Sequence, residues 1–218
     1  HRDLHSFPTR RSSDLTYDAA NRLKTVSGPQ GTVSYAYNGL GDRVSQNGIA
    51  YTLDLNASLT QVLTDESNTY LYGIGRIAQT GNSTTYFLGD ALESVRQLAN
   101  ATGDLTLAKA YSPFGGIAQS SGVGSTNFGF AGEFTDANGL IHLRARYYES
   151  GTGRFFQKDP WAGDDNIPST FNPYQYALNN PARYTDPSGN NPLAAVGALA
   201  LAVGGSAAVG AVLGGIYG

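Results

Sequence analysis

The sequence has 218 residues, no Cys, no Met and a net charge of −3 at pH 7. Because 14 basic residues face 17 acidic ones, the strongly basic surface that binds nucleic-acid phosphates is excluded. The lack of Cys excludes disulfides, thiolate zinc sites, iron–sulfur clusters and cysteine nucleophiles. The 28 Gly and 14 Tyr are typical of a turn-rich β protein rather than a helical one.

Residues 1–15 differ in composition from everything that follows them. The run from His5 to Leu15, HSFPTRRSSDL, resembles the translation of a DNA-sequencing adapter. We therefore exclude residues 1–15 from the fold as one excludes a tag, with a short basic arm as the alternative. Because the chain begins at His1 and has no Met, we expect a fragment of a longer protein. Without the first segment, His142 is the only histidine.

From residue 16 the sequence repeats a short block. YDAANRL at 17–23 and YNGLGDRV at 37–44 both run from Tyr through Asp or Asn and a small-residue turn to Arg and an apolar residue. Between them, residues 32–37 alternate polar and apolar side chains, which predicts a half-buried strand. The blocks therefore predict a strip of β-hairpins over 16–126. Further hairpin segments and turns are predicted at 70–76, 86–90, 95–98, 100–104, 105–111 and 112–116, and an exposed loop at 119–126.

The pattern changes in the segment 127–190. The turn Asn138-Gly139 opens a predicted strand over 140–148, which would place Ile141 and Tyr147 on one face and His142 with Arg146 on the other. This position favours a structural surface histidine over a catalytic base. Five prolines between Pro160 and Pro187 predict a compact, irregular, plug-like segment rather than a sheet.

The end of the chain is apolar. Residues 187–218 carry no charged side chain, and 193–216 form an Ala/Gly/Val/Leu run that is long enough to span a bilayer. The many glycines weaken this run as a helix. A membrane span and a flexible or protein-buried apolar segment therefore both remain open for 191–218.

Carboxylates in Pro/Gly contexts are the candidate chemical groups. Asp159-Pro160 and Asp186-Pro187 are two such motifs, and Asp164-Asp165 lies between them. Two carboxylates held close together do not ionise equally, so one can act as acid while the other acts as base and activates water. Asp before Pro also commonly begins a turn, and spacing alone favours that interpretation.

These residues belong to a longer ordered set of motifs that resembles the RHS repeat-associated core domain, and the upstream blocks resemble YD repeats. The motifs of the set are GLIHLRARYY at 139–148, GRF at 153–155, Asp159-Pro160, YQY at 174–176, NNP at 179–181 and DPSG at 186–189. The resemblance covers residues 16 to about 190. It implies a secreted or cell-surface polymorphic toxin or toxin-complex component, in which YD repeats form a spiralling β shell and the core domain plugs one end.

The resemblance also implies a toxin segment after the core, which some members release by aspartyl self-cleavage at paired DPxG-type motifs. Carried over to this sequence, Asp159 is the leading catalytic carboxylate and Asp164 or Asp165 its partner. Arg154 or Lys158 would lower a carboxyl pKa or orient the group. Both motifs depart from the pattern: the first reads DPWAG, one residue longer, and the second reads DPSGN where cleaving members usually carry Leu.

We therefore expect a mainly β structural fragment of a toxin-encapsulating shell, with 16–126 as the YD-repeat region, 127–190 as the core and 191–218 as the start of the variable region. Single-turnover self-cleavage near Asn190 is the enzymatic alternative, and glycan binding by an adhesive surface is the third. We expect no cofactor, no metal and no nucleic acid. Expected partners are the chain's own toxin segment and components of a secretion system or toxin complex.

Overall fold

A computed structural model describes residues 14–29, 31–163, 165 and 168–190, together with the backbone of 193–194. This part of the chain is built from antiparallel strands, and its helical segments are 3-10 turns of three or four residues. The mainly β fold predicted from the composition is confirmed. Among the described residues, no helix is long and apolar enough to cross a membrane. Apart from the backbone of 193–194, the apolar run 193–216 lies outside the described residues.

Two meanders account for most strands, and in each the strands pair in chain order. The first sheet contains β1 (Leu15–Tyr17), β2 (Leu23–Gly28), β3 (Gly31–Tyr37), β4 (Arg43–Gln46) and β5 (Ile49–Ala50). The second sheet contains β6 (Thr52–Asp54), β7 (Gln61–Thr64), β8 (Thr69–Tyr72), β9 (Arg76–Thr80), β10 (Thr84–Gly89), β11 (Val95–Asn100), β12 (Leu105–Tyr111) and β13 (Ile117–Gly122). The hairpin strip predicted from the repeats is therefore present as two sheets.

A third, smaller sheet follows the meanders. It contains β14 (Phe134–Thr135), β15 (Leu140–Leu143), β16 (Arg146–Glu149) and β17 (Arg154–Phe155). After it the chain runs through 3-10 turns at 168–171 and 177–179 to a short hairpin of β18 (Tyr184–Thr185) and β19 (Leu193–Ala194). The segment between Pro160 and Pro187, which was predicted to be irregular, thus carries the 3-10 turns and the short strand β18.

The repeated sequence block has a structural explanation in its turn. Six of the described hairpin connections share a five-residue turn. In each turn the N–H of residue 1 donates to the carbonyl of residue 5, and the N–H of residue 4 donates to the carbonyl of residue 1. These turns begin at Asp18, Asn38, Asp90, Asn100, Ser112 and Asp136. The fourth residue always has positive φ, as in Gly41 at 98° and Gly103 at 89°. In the turns that begin at Asp18, Asn38, Asp90 and Asn100, the first side chain also accepts from the third and fifth N–H groups. The Asp or Asn after the strand is therefore a turn cap.

The hairpin of β15 and β16 is buried on both faces and connects the two meanders. One face places Leu140 and Tyr147 against Leu23, Val26 and Tyr35 of the first sheet. The other face packs with aromatic residues of the Pro-rich segment; that cluster includes Ile141, Leu143, Tyr148, Phe155 and Tyr176. Just before this hairpin, Phe128 and Phe134 pack against the second sheet, in a cluster with Tyr70, Val95, Leu98 and Leu107. Burying apolar area against two layers stabilises the third sheet without long strands.

Two local predictions are wrong. The single strand over 140–148 is a hairpin, because the chain reverses at Arg144, which has φ of 46°. Ile141 therefore pairs with Tyr148 and Leu143 with Arg146, and the predicted faces do not exist. The loop predicted at 119–126 begins as strand β13, which is an exposed edge strand through Gly122.

Candidate aspartate–arginine site

Asp159 and Asp186 contact the same nitrogen of one arginine. Nη2 of Arg146 lies 2.7 Å from Oδ2 of Asp159 and 3.3 Å from Oδ2 of Asp186. The Arg146 and Asp186 side chains are 4% and 2% exposed, and that of Asp159 is 12% exposed. The two Asp-Pro motifs, distant in sequence, thus form one largely buried cluster.

Arg146 is held by groups on several sides, so its position at the start of β16 is fixed. Its Nε donates to the carbonyl of Gly189 and its Nη1 to that of Pro173, the latter at 3.2 Å. Its guanidinium carbon lies 3.7 Å from the centre of the Phe155 ring. Burial lowers the pKa of Arg146, and the carboxylates of Asp159 and Asp186 oppose that shift.

Asp186 is positioned by a partial copy of the turn found in the hairpins. The N–H of Gly189 donates to the carbonyl of Asp186, and the N–H of Asn190 donates to its Oδ1 at 3.1 Å. Gly189 has φ of +71°, and a Cβ there would overlap the carbonyl oxygen of Leu143. The DPSG motif is therefore a turn that binds one carboxylate oxygen and leaves the other beside Arg146.

Asp159 is positioned from the opposite side of Arg146. Its backbone N–H donates to the carbonyl of Pro173 at 2.9 Å, and its Oδ1 accepts from the N–H of Trp161 at 2.8 Å. Like Asp186, it uses one oxygen to cap the following turn and presents the other to the guanidinium. Asp159 and Asp186 therefore have both predicted roles: each caps the turn that follows it, and the two carboxylates contact the same guanidinium.

A cavity of about 400 Å³ opens beside this cluster. Its lining includes Ala20, Arg22, Arg146, Lys158, Trp161 and Asn190. The volume admits a short extended peptide segment, and Asn190 lies on its wall, directly after the turn that holds Asp186. Asp159 and Arg146 of the cluster line this cavity, and Asp186 contacts the same guanidinium.

Arg154, Lys158 and Asp165 take no part in the ion pairs that the described residues form around Arg146. Asp165 is exposed, and Asp164 lies outside the described residues. Arg154 is exposed and pairs through its backbone with Glu149 at the edge of the third sheet. Lys158 is exposed at the rim of the cavity.

Sequence reasoning missed that Asp186 partners Asp159 and that Arg146 joins them. The signal for Asp186 was present, since it begins the second Asp-Pro motif. The alternating pattern gave Arg144 and Arg146 the same predicted face of one strand, because the hairpin turn between them was not predicted. His142, predicted to be a structural surface histidine, is half-buried, and its Nε2 is removed from solvent.

Comparison with known families extends over nearly the whole described chain. The family described as teneurin YD-shell matches residues 49–182, and the RHS repeat family matches residues 17–48. Among curated proteins, the tRNA3(Ser)-specific nuclease WapA of Bacillus spizizenii is 30% identical over 203 residues, which is 83% of this chain and 9% of that protein. Toxin protein Tse5 of Pseudomonas aeruginosa is 35% identical over 117 residues, 53% of this chain and 9% of that protein.

Solved structures show the same fold. The TcdB2-TccC3-TEV crystal structure superposes with a TM-score of 0.65 at 22% identity, covering 80% of this chain and 10% of that one. The Photorhabdus luminescens Tc holotoxin pore gives 0.64 at 22% identity, covering 82% and 10%. This chain thus spans about a tenth of the relatives and structures that it matches. The two family matches, which follow one another along the chain, show that it belongs to the RHS-repeat and YD-shell family.

Proposed function

We propose that this chain is a piece of the wall and end plug of a shell that encloses a toxin segment in the whole, secreted protein. In this proposal the first and second sheets are wall, and residues 127–190 are plug. The observation that carries it is the β15–β16 hairpin, which is buried against the first sheet on one face and against the Pro-rich segment on the other. The relatives named as a toxin and a toxin complex support the same assignment.

A protection experiment on the whole protein tests this proposal. The native gene product, with everything that follows Gly218, is treated with a broad-specificity protease alongside the isolated C-terminal segment. We expect the segment to survive at least tenfold longer within the whole protein than alone. Equal rates of digestion would refute encapsulation.

We infer a second activity, single-turnover self-cleavage, from the shared contact of Asp159 and Asp186 with Arg146. One carboxylate takes a proton from a water molecule while that water attacks the peptide carbonyl carbon. The other group, as the carboxylic acid, gives a proton to the departing amine. The amide C–N bond breaks and a new carboxyl terminus forms. Because Asn190 lines the adjacent cavity, we place the cut close after it.

Mass spectrometry of the extended protein tests cleavage. We expect the wild type to release its C-terminal segment, and Asp159→Asn and Asp186→Asn to remain intact. Asp165→Asn is the matched control, because Asp165 is an exposed carboxylate in the same segment, and it should cleave normally. An intact wild type, or cleavage unaffected by Asp186→Asn, would exclude this activity while leaving the shell proposal standing.

A further inference from the structure

A second buried cluster lies where the three sheets meet, at a cavity of about 40 Å³, enough for one or two water molecules. The first sheet contributes Arg43, the second contributes Thr60 and Arg76 with their strands, and the segment of the third contributes His142 and Arg144. We call this cluster the three-sheet junction. Arg144 links it to the aspartate–arginine site, because its Nη1 donates to the carbonyl of Pro187 at 2.7 Å.

Two arginines cross the junction from the meanders to the segment that carries the third sheet. Nη1 of Arg43 donates to both carboxylate oxygens of Asp136, at 2.8 and 2.9 Å. Nη1 of Arg76 donates to the carbonyl of Gly132 at 2.8 Å, and its guanidinium carbon lies 3.2 Å from the centre of the Phe128 ring. These contacts attach the wall strands to the plug.

Arg144 makes the reverse connection, from the turn of the third-sheet hairpin to the second sheet. Its Nε donates to the carbonyl of Thr60 at 3.3 Å, and its Nη1 binds Glu133 at 2.5 Å. The junction is therefore held by three guanidinium groups.

His142 lines the same cavity as these three arginines. Its Nε2 is buried and has no hydrogen-bond partner among the described residues, and the same holds for Nη2 of Arg43. The imidazole lies 5.1 Å from the ring of Tyr147, centre to centre. Burial first, and then the charges of Arg43 and Arg144, hold the pKa of His142 well below its ordinary value of 6.5.

Two of the three carboxylates that face the junction are already engaged by arginines. Asp136 gives both oxygens to Arg43, and Glu133 is engaged with Arg144. Asp42, at the edge of the cavity, accepts from Thr60 Oγ1 at 2.5 Å and from Asn38 Nδ2 at 3.0 Å. The phenol of Tyr72, the remaining titratable group in the lining, donates to the carbonyl of Val62. A proton on His142 would thus add a fourth cation to a cluster whose carboxylates are already bound.

We propose that His142 makes the three-sheet junction sensitive to acid, so that its protonation weakens the hold of the first two sheets on the third. The unfolded or separated chain takes up a proton near pH 6.5, whereas the folded junction excludes it. Stability is therefore fully present above pH 6.5 and falls as the pH drops below that value, because the open state binds more protons. The proposal does not depend on self-cleavage.

Urea unfolding of this chain and of His142→Gln at pH 7.5 and 5.5, at constant ionic strength, tests the proposal. Carboxylates titrate in both proteins, so their effects cancel in the comparison. We expect the unfolding equilibrium constant of the wild type to rise about tenfold more than that of the variant over this interval, the effect of one proton per unfolding event. Parallel losses would overturn the proposal.

A direct titration keeps the test decisive if His142→Gln does not fold. NMR of the wild type with labelled histidine follows the His142 ring from pH 7.5 to 5. We expect the ring to stay neutral while the chain is folded. A normal titration of His142 near pH 6.5 in the folded protein would refute the proposal.

Discussion

Arg43 and Asp136, 93 positions apart, form a buried ion pair that joins the first sheet to the turn before β15. Their side chains are 2% and 0% exposed. Burial disfavours the charged guanidinium, but the Asp136 carboxylate outweighs this and raises the pKa of Arg43. Burial raises the pKa of the Asp136 carboxyl and the charge of Arg43 opposes that shift, so each group is the main counter-ion of the other.

Removing one member of this pair should destabilise the chain strongly. Asp136→Asn leaves an uncompensated buried guanidinium, so we expect a loss of about 3–5 kcal/mol in the free energy of unfolding. Urea denaturation measures it. Asp18→Asn is the matched control, because the Asp18–Arg22 pair is 25% and 30% exposed and screened by solvent, so its loss should be far smaller. Similar losses in both variants would contradict the buried-pair argument.

The sequence predicted the strands best where a single turn motif repeats. The Tyr-Asp and Tyr-Asn blocks encode both the strand end and its cap, so the hairpins at Asp18 and Asn38 could be located from local residues alone. The Asn-Ala-Thr-Gly-Asp turn located the hairpin at Asn100 in the same way. The turn at Arg144 could not, because its positive φ falls on a residue type that carries no turn signal. Tertiary packing of β15 and β16 on both faces imposes that turn.

The sequence predicted a pair of aspartates at the candidate site, but not which residues form the pair. The Asp-Pro motifs identified Asp159 and Asp186 as candidate residues. The predicted partner of Asp159 was nevertheless Asp164 or Asp165, which lie close to it in the sequence. Residues that a sheet and several turns bring together have no characteristic spacing in the sequence, so their contact could not be predicted from it. His142 is similar, since it lines one cavity together with Arg43 and Arg76 from other sheets.

A glycine pair within one turn tests the role of positive φ. Gly41 has φ of +98° and Gly39 does not have positive φ, and at neither would a Cβ meet an atom within 4 Å. We expect Gly41→Ala to lower the free energy of unfolding by about 1–2 kcal/mol, because an L side chain strains this conformation. Gly39→Ala should change it by no more than about 0.5 kcal/mol. Thermal or urea unfolding of both variants decides the matter, and equal effects would argue against the turn.

Alkaline unfolding should follow from buried tyrosines. Burial raises the pKa values of Tyr37, Tyr51 and Tyr111 to about 12. Above pH 10 the unfolded chain loses these protons while the folded chain keeps them, so stability present below pH 10 is lost between pH 10 and 12. Exposed tyrosines such as Tyr86 and Tyr174 ionise first, and we expect the remaining phenolate absorbance to rise together with loss of β circular dichroism. Ionisation of Tyr37, Tyr51 and Tyr111 well before unfolding would contradict their burial.

The turn that holds Asp186 tests close packing separately from backbone conformation. Gly189 and Gly139 both have positive φ, at +71° and +82°, but only at Gly189 would a Cβ overlap another residue, Leu143. Gly139→Ala should therefore cost about 1–2 kcal/mol, and Gly189→Ala should cost about 1–3 kcal/mol more because the backbone must move. Urea unfolding compares the two. In the extended protein, Gly189→Ala should also slow self-cleavage, because it shifts Asp186 from Arg146. Gly139→Ala should leave the cleavage rate unchanged. Equal cleavage rates in the two variants would show that the turn at Gly189 is not needed for cleavage.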